Sequence, residues 1–220
     1  MIDPQDVEHI PPRAASTYIK LASEYGREYY RSVADLVARR PRPAGRLLDA
    51  GTGPGLLPLA IAARSGTPQI DAFDFTRELV QYGRTQAIER GVNDRISFFV
   101  ADCYAIPTAG TNYPLLTCTG VLHALDHPVQ ALSEFYRVLE PGGEAWVFDP
   151  VIIDLPDELD VDFTPHEWNV FDSYGVRADR DEPTISADEA FRLVDATPFE
   201  SVEVEEGERA EIRLYLRREE

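Results

Sequence analysis

The stretch that decides the fold is LLDAGTGPG, Leu47 to Gly55, in which three glycines at alternate positions follow an acidic residue. Glycine is used where φ must be positive or where a ligand approaches the backbone closely, and this spacing is too regular for an ordinary turn. The apolar residues before the loop predict a short buried strand, and GLLPLAIAARSG predicts a helix after it. We therefore expect a ligand to lie against this loop.

The segments after the loop repeat the alternation of strand and helix. Strands are predicted at QIDAFDF, RISFFVAD, YPLLTCTG and EAWVFDP. Helices are predicted at TRELVQYGRTQAIERGV and at HPVQALSEFYRVLEPGG, where Gly142 and Gly143 are expected to stop the second helix. This alternation predicts an α/β fold whose sheet is mostly parallel and covered by helices on both faces.

Both ends of the chain add further elements. From Pro12 to Arg40, tyrosines and aliphatic residues at helical spacing predict one long helix or two that meet near Gly26. Ser186 and Glu189 form a capping box that predicts another helix, and the alternating segments SVEVE and EIRLYLR predict a closing antiparallel hairpin. The last strand is therefore expected to be antiparallel.

We expect one domain, residues 1–220, with four parts. Residues 1–44 form an N-terminal helical cap, 45–150 the ligand-binding core, 151–185 a lid inserted into the core, and 186–220 the closing helix and hairpin. The lid segment is rich in Asp and Pro yet carries large aromatic residues. A connection of this length is typical of functional or disordered segments, and the aromatic residues favour a folded lid.

The composition excludes several classes of protein. No apolar stretch reaches membrane-spanning length and the first residues lack the pattern of a signal peptide, so we expect a cytoplasmic protein. The formal net charge of -18 opposes binding to nucleic acid or to an anionic membrane, which leaves a small molecule as the expected partner. Cys103 and Cys118 lack ligand-like spacing, so we predict reduced, buried thiols and no metal site. The oligomeric state, a homodimer included, stays open.

Two other nucleotide-binding loops compete for this position. A P-loop needs Gly-Lys followed by Ser or Thr, whereas this loop continues as Gly55-Leu56-Leu57. The dinucleotide fingerprint needs its third glycine three positions after the second, and Leu56 stands there. Leu56 weakens the interpretation as a NAD(P)-dependent oxidoreductase, which nevertheless stays an alternative. A non-catalytic cofactor-binding protein is a second alternative.

The order Asp49-x-Gly51-x-Gly53-x-Gly55 after a hydrophobic strand resembles motif I of the class I S-adenosylmethionine-dependent methyltransferases. The resemblance extends through IDAFDF, FFVADCYAIP and TCTGVLHALDHPVQALSEFYRVLEPGGEAWVFD, in the family's order, and covers about residues 45–149. It implies a Rossmann-like sheet of seven strands and S-adenosyl-L-methionine as the cofactor, with S-adenosyl-L-homocysteine as the product.

The resemblance also implies a cofactor site at the strand ends. Asp74 would accept hydrogen bonds from the two ribose hydroxyls, and Asp102 would meet the adenine amino group, because a carboxylate offers only acceptors. Asp49 would help to hold the positive amino group of the methionine end. The implied cofactor-binding residues are Asp49, Gly51, Thr52, Gly53, Gly55, Asp74, Phe75, Asp102, Cys103, Thr119 and Gly120.

The expected reaction is in-line transfer of the methyl group to an unidentified small-molecule acceptor. A sulfonium donor is already activated, so positioning is the main task and neither a metal nor a covalent nucleophile is required. His123 is the candidate general base, with a hydrogen-bonded structural histidine as the alternative. Residues expected to face the acceptor are Tyr25, in a tyrosine stripe that is also typical of a packing face, and His166, Trp168 and Phe171 in the lid.

Overall fold

A seven-stranded sheet runs through the part of the chain that the computed structural model describes, which is residues 9–39, 45–64, 66, 68–108, 113–149, 185–207 and 211–219. In chain order the elements are α1 (Pro12–Tyr25), α2 (Arg27–Arg39), β1 (Leu47–Ala50), α3 (Leu56–Ala62), β2 (Ile70–Asp74), α4 (Arg77–Glu89), β3 (Ile96–Val100), β4 (Tyr113–Thr119), α5 (Pro128–Val138), β5 (Leu139–Asp149), α6 (Ala187–Asp195), β6 (Ser201–Glu206) and β7 (Ile212–Arg217).

The strand order across the sheet is β3-β2-β1-β4-β5-β7-β6. Strands β1 to β5 pair in parallel, whereas β7 is antiparallel to both of its neighbours. The predicted fold class is therefore confirmed, including the antiparallel last strand. The order reverses between β1 and β4, and in α/β sheets ligands bind at the carboxyl ends of the strands beside such a point.

Helices cover both faces of the sheet because the side chains of each strand alternate between two cores. Leu47 of β1 packs with the face formed by α1 to α4, and the next residue, Leu48, packs with the face formed by α5 and α6. All seven residues of β4 are buried, as expected for a central strand with a core on each side. Both cysteine side chains are also buried.

The N-terminal cap consists of two helices that meet at Gly26, as one of the two predicted arrangements requires. Side-chain contacts tie this cap to the core at separate points. The hydroxyl of Thr76 donates to the carbonyl of Ile10 at 2.7 Å, and the hydroxyl of Tyr29 donates to Glu211 Oε1 at 2.7 Å. The cap is therefore held over the carboxyl edge of the sheet.

The Pro-Gly-Gly segment does not stop a helix, so the predicted role of Gly142 and Gly143 is wrong. Helix α5 ends earlier, at Val138, where the next residue already has extended backbone angles. The glycines lie within β5, where the N–H of Gly142 donates to the carbonyl of Arg218 and the N–H of Arg218 donates to the carbonyl of Gly143. An added Cβ at Gly143 would lie 2.8 Å from the carbonyl oxygen of Glu140 and 2.9 Å from that of Tyr113, so the close approach of β5 to β4 at this point needs glycine.

The closing segment begins with the predicted cap, since Ser186 Oγ accepts a hydrogen bond from the N–H of Glu189 at 3.2 Å. Residues 151–184, which form nearly all of the predicted lid, lie outside the described residues, and the division into four parts stays a prediction. No helix among the described residues is long and apolar enough to cross a membrane.

Candidate functional site

A cavity of about 340 Å³ opens at the carboxyl ends of β2, β3 and β4, beside the point where the strand order reverses. Eight of the eleven residues predicted to bind the cofactor line it. They are Gly51, Gly53, Asp74, Phe75, Asp102, Cys103, Thr119 and Gly120. The sheet brings these residues together from four separate segments of the chain.

The glycine loop curls tightly between β1 and the cavity. Gly51 has a φ of 65°, and an added Cβ there would lie 2.4 Å from Cγ2 of Val121. Gly53 has a φ of 55°, and its N–H donates to Asp74 Oδ2 at 2.8 Å. The loop thus presents bare backbone to the cavity and is fastened to the end of β2.

Asp74 closes the cavity at the end of β2. Its two carboxylate oxygens accept N–H groups of Gly53 and Thr76, each at 2.8 Å. Burial raises its pKa to about 6, although these backbone hydrogen bonds act in the opposite direction. The backbone N–H of Phe75 also acts on this carboxylate, which has about four acceptor positions in all and so keeps acceptor capacity for a hydroxyl in the cavity.

Asp49 lies beneath the loop and is only 2% exposed. Its Oδ1 accepts a hydrogen bond from the hydroxyl of Thr117 at 2.6 Å, but within the described part of the chain no donor reaches Oδ2. Burial raises the pKa of Asp49 to about 6, against the effect of interactions with the hydroxyls of Thr117 and Thr52, and the nearby Asp74 raises it further. Because Asp49 lies behind the loop and not in the cavity wall, it would act on a cationic group at this end of the cavity through its negative charge.

Asp102 and Phe75 form the opposite end of the cavity. Asp102 Oδ1 accepts the N–H of Tyr104 at 2.9 Å, which holds the turn after β3. Phe75 is 53% exposed and contacts His9 of the cap, with their ring centroids 4.7 Å apart. This end therefore combines aromatic surface with a hydrogen-bond acceptor, as the binding of a heteroaromatic ring requires.

The tyrosines that reach the cavity are Tyr18 and Tyr30, not Tyr25. Tyr25 packs partly buried against the core on the cap side, so the structure does not place it at this cavity. The hydroxyls of Tyr18 and Tyr30 hydrogen-bond to each other, and burial raises the pKa of Tyr18 to about 12, with a further rise from the charge of Asp74. Both hydroxyls are therefore neutral donors at physiological pH.

Four other predicted residues lie away from the cavity wall. Asp49 and Thr52 are buried behind the loop, and an added Cβ at Gly55 would lie 2.8 Å from the Phe98 ring, so this glycine serves helix packing rather than ligand contact. The ring of His123 lies beside Asp149, with Nδ1 2.7 Å from Oδ1, and does not line the cavity. The lid candidates His166, Trp168 and Phe171 lie outside the described residues.

Sequence reasoning missed several residues of the wall. Most are apolar or come from the N-terminal segment, whose position depends on tertiary packing: His9, Ile10, Leu79, Ala101, Tyr104, Val121, Ala124 and Leu125. Asp149 was also missed as the partner of His123. The signal for Asp149 was available, because it ends an apolar strand in the same way as Asp74 and precedes the predicted lid.

Comparison with known proteins agrees with this geometry. Residues 47–143 match a family model described as a methyltransferase domain. This segment carries the glycine loop and the strand ends around the cavity, and it is similar to methyltransferase domains. This similarity supports the predicted family, the class I S-adenosylmethionine-dependent methyltransferases, and S-adenosyl-L-methionine as the cofactor.

One curated relative is the ubiquinone/menaquinone biosynthesis C-methyltransferase UbiE of Geotalea daltonii, which is 37% identical over 109 residues, or 49% of this chain and 46% of the relative. The chain spans about half the length of the curated relatives it matches. A Methanococcus maripaludis structure, provisionally described as an S-adenosylmethionine-dependent methyltransferase, aligns over 95% of this chain and 94% of its own, with a TM-score of 0.73 and 18% identity. The [4+2]-cyclase SpnF aligns over 86% and 81%, with a TM-score of 0.63 and 20% identity.

The residues present fit this methyltransferase cofactor. The negative charge of Asp49 behind the glycine loop suits a positive amino group, and the Asp74 carboxylate suits a diol. The backbone of Gly53 faces the cavity where an added Cβ would approach Tyr18 Cε1 at 3.7 Å, so glycine keeps room for a ligand there. Within the described residues, no group of three His, Cys, Asp or Glu side chains could hold a metal ion.

Proposed function

We propose that this protein transfers the methyl group of S-adenosyl-L-methionine to a small-molecule acceptor. The observation that carries the proposal is the placement of three acids at the ends of three neighbouring strands: Asp74 and Asp102 line one cavity, and Asp49 is buried behind the glycine loop that borders it. Acceptor oxygens at these three positions match the amino group, the ribose diol and the exocyclic amine of the cofactor. A dinucleotide such as NAD also carries a ribose diol and an adenine amine, so the positive amino group near Asp49 is the feature that favours S-adenosyl-L-methionine.

The cofactor, when bound, supplies a methyl group already activated on a sulfonium. The protein's own task is therefore to bind, to align and to exclude water. The glycine loop offers backbone groups at close range, and Tyr18 and Tyr30 offer neutral hydroxyl donors for a carboxylate. The cap helices cover the cavity and limit the access of water.

The relatives do not identify the methyl acceptor of this protein. The segment shared with UbiE of Geotalea daltonii covers about half of each chain, and the family match covers residues 47–143, which is the cofactor half of the site. The small-molecule acceptor, the cytoplasmic location and the state of oligomerisation stay predictions. SpnF, named as a cyclase, has the same fold, so methyl transfer needs its own test.

Calorimetry against four ligands tests the proposal. We expect S-adenosyl-L-methionine and S-adenosyl-L-homocysteine to bind and NAD and NADP not to bind. A preparation that binds a nicotinamide cofactor and neither sulfur compound would contradict the proposal. Binding of both sulfur compounds without methyl transfer to any compound of a cell extract would favour the non-catalytic alternative.

Asp74→Ala should weaken cofactor binding by about 1.5 to 3 kcal/mol, roughly a ten- to hundredfold rise in Kd, because charged hydrogen bonds to the ribose are lost. Asp71→Ala is the matched control. Asp71 lies on the same strand, pairs with Arg46 at 2.9 Å and does not line the cavity. Calorimetry should show equal affinity for the control and the parent protein. An unchanged Kd for a folded Asp74→Ala protein would remove Asp74 from the site.

A further inference from the structure

The described residues that line the cofactor cavity include acids but no arginine or lysine. Asp74 and Asp102 are part of the wall, and Asp49 is buried behind the glycine loop. His9 is the one basic side chain of the wall within the described part of the chain, and a histidine is mainly neutral above neutral pH. The fixed charge around the cavity is therefore negative.

Neutral groups hold all three carboxylates. A hydroxyl donates to Asp49, and backbone N–H groups donate to Asp74 and Asp102. Several acids elsewhere in the described chain are instead paired with arginine at 2.6 to 2.9 Å, in the pairs Arg46–Asp71, Arg64–Asp35, Arg137–Glu134 and Arg213–Glu211. A neutral donor leaves the negative charge in place, whereas a guanidinium compensates it. Among the described residues, the charges at the cavity are therefore uncompensated.

Burial makes these charges effective over a distance. Burial raises the pKa values of Asp49 and Asp74 to about 6 each, and the charge of Asp74 raises that of Asp49 further. Both carboxyl groups are therefore ionised at about pH 8. The protein interior weakens the interaction between charges much less than water does, and salt screens buried charges less than exposed ones. A cation in the cavity is therefore attracted by more than one carboxylate.

The sulfonium is the group by which the proposed cofactor differs from its product. S-adenosyl-L-methionine has a net positive charge, because the sulfonium adds to the zwitterion of the amino acid. During transfer the carbon–sulfur bond breaks with its electron pair left on sulfur, so S-adenosyl-L-homocysteine has a neutral thioether and no net charge. A sulfonium has no N–H or O–H group, so it gives up fewer hydrogen bonds to water on burial than an ammonium does. A negative cavity therefore favours the first compound.

We propose that this cavity selects the sulfonium cofactor over its thioether product by charge, and that Asp49 contributes to the selection from behind the loop. This inference rests on the proposed methyl transfer and adds the cause of a preference for S-adenosyl-L-methionine. The formal net charge of -18 gives the protein surface a field of the same sign, which attracts a cationic ligand towards the cavity. The product therefore competes weakly with fresh cofactor.

Calorimetry at about pH 8 with three probes, S-adenosyl-L-methionine, S-adenosyl-L-homocysteine and sinefungin, tests the selection. Sinefungin carries an amine in place of the sulfonium and keeps the net positive charge. We expect the Kd of S-adenosyl-L-homocysteine to be on the order of tenfold above that of S-adenosyl-L-methionine, and the Kd of sinefungin to lie within a few fold of the latter. Equal or tighter binding of S-adenosyl-L-homocysteine would overturn the proposal. A chain that binds none of the three would instead count against the proposed function.

Asp49→Asn removes one buried charge and keeps the size of the side chain. Cofactor and product share the amino group, so a loss of attraction for that group cancels in the ratio of their Kd values. The ratio of the product Kd to the cofactor Kd should fall to about a third of its parent value. Asp71→Asn is the matched control, because Asp71 is paired with Arg46 and lies outside the cavity wall. It should leave the ratio unchanged, and an unchanged ratio in Asp49→Asn would overturn the proposal.

The same ratio, measured at about 0.1 M and about 0.5 M sodium chloride, separates the cavity from the protein surface. Exposed charges are screened over a distance that shortens as salt is added, whereas buried charges are screened much less. We expect the preference for S-adenosyl-L-methionine to persist at the higher concentration. Its disappearance there would assign the preference to the surface charge and would overturn the proposal.

Discussion

Gly51→Ala is expected to raise the Kd for S-adenosyl-L-methionine on the order of a hundredfold, the size of effect that follows an ångström-scale displacement in a preorganised site. The new Cβ would lie 2.4 Å from Cγ2 of Val121, a distance at which one of the two must move. Val121 lines the cavity, so relief of the clash displaces either the loop or the wall. A φ of 65° adds about 1 to 2 kcal/mol of backbone strain for a residue with a side chain.

Gly91→Ala separates the steric effect from the backbone strain. Gly91 has a φ of 64°, and an added Cβ there would meet nothing within 4 Å. Urea unfolding should show a similar loss of stability from strain in both variants, whereas calorimetry should show weakened binding only for Gly51→Ala. Val121→Ala in the Gly51→Ala protein removes the clashing methyl and should restore much of the affinity. Equal weakening of binding in Gly51→Ala and Gly91→Ala would rule out the contact with Val121 as the cause.

Asp49→Asn should make the ligand-free protein more stable near neutral pH. The pKa of Asp49 in the folded protein, about 6, lies above the value of about 3.9 for an unfolded aspartate. The folded state therefore holds the proton more tightly, so the contribution of Asp49 is fully present below about pH 4 and is lost as the pH rises through about 6. The loss amounts to about 3 kcal/mol at neutral pH. Asparagine avoids this loss, but its amide buries N–H groups that lack acceptors, which costs part of the gain. The expected net increase in stability is about 1 to 2 kcal/mol.

Urea unfolding at about pH 5 and about pH 7.5 measures this effect. The parent protein should lose stability between the two values, and Asp49→Asn should lose less. Thr117→Val is the matched control and should lower stability near neutral pH. It removes the hydroxyl that donates to Asp49 Oδ1, so the buried carboxylate loses a stabilising hydrogen bond. The same pH profile in Asp49→Asn and in the parent protein would show that Asp49 does not titrate as proposed.

Much of the cofactor site can be predicted from the sequence, because one general property of parallel sheets determines where it lies. Parallel strands end at a common edge, so an acidic residue that ends an apolar strand is placed in the site by the strand prediction alone. Asp74 and Asp102 are found in this way, and Asp149 obeys the same rule. The fold class is predictable for a related reason, since the alternation of period-2 and period-3.6 segments is long and regular here.

The errors arise where contacts distant in sequence decide the outcome. Helical spacing groups Tyr18, Tyr25 and Tyr30 but does not show which of them reaches the sheet edge. The cap contacts α4 and Glu211, directly before β7, and these contacts place Tyr25 away from the cavity. The Pro-Gly-Gly segment reads locally as a helix stop, but its pairing with Arg218, far along the chain, makes it part of a strand. Tertiary packing overrides local signals in both cases.

The cap also determines how fast a bound cofactor can leave. His9, Ile10, Tyr18 and Tyr30 form part of the cavity wall, and the cap is tied down by the hydrogen bond between Thr76 and Ile10 and by the contact between His9 and Phe75. We expect a ligand beneath these residues to exchange with solvent faster when that segment lifts, so its residence time should depend on the free energy of this local opening. Product release, rather than chemistry, would then set the turnover rate.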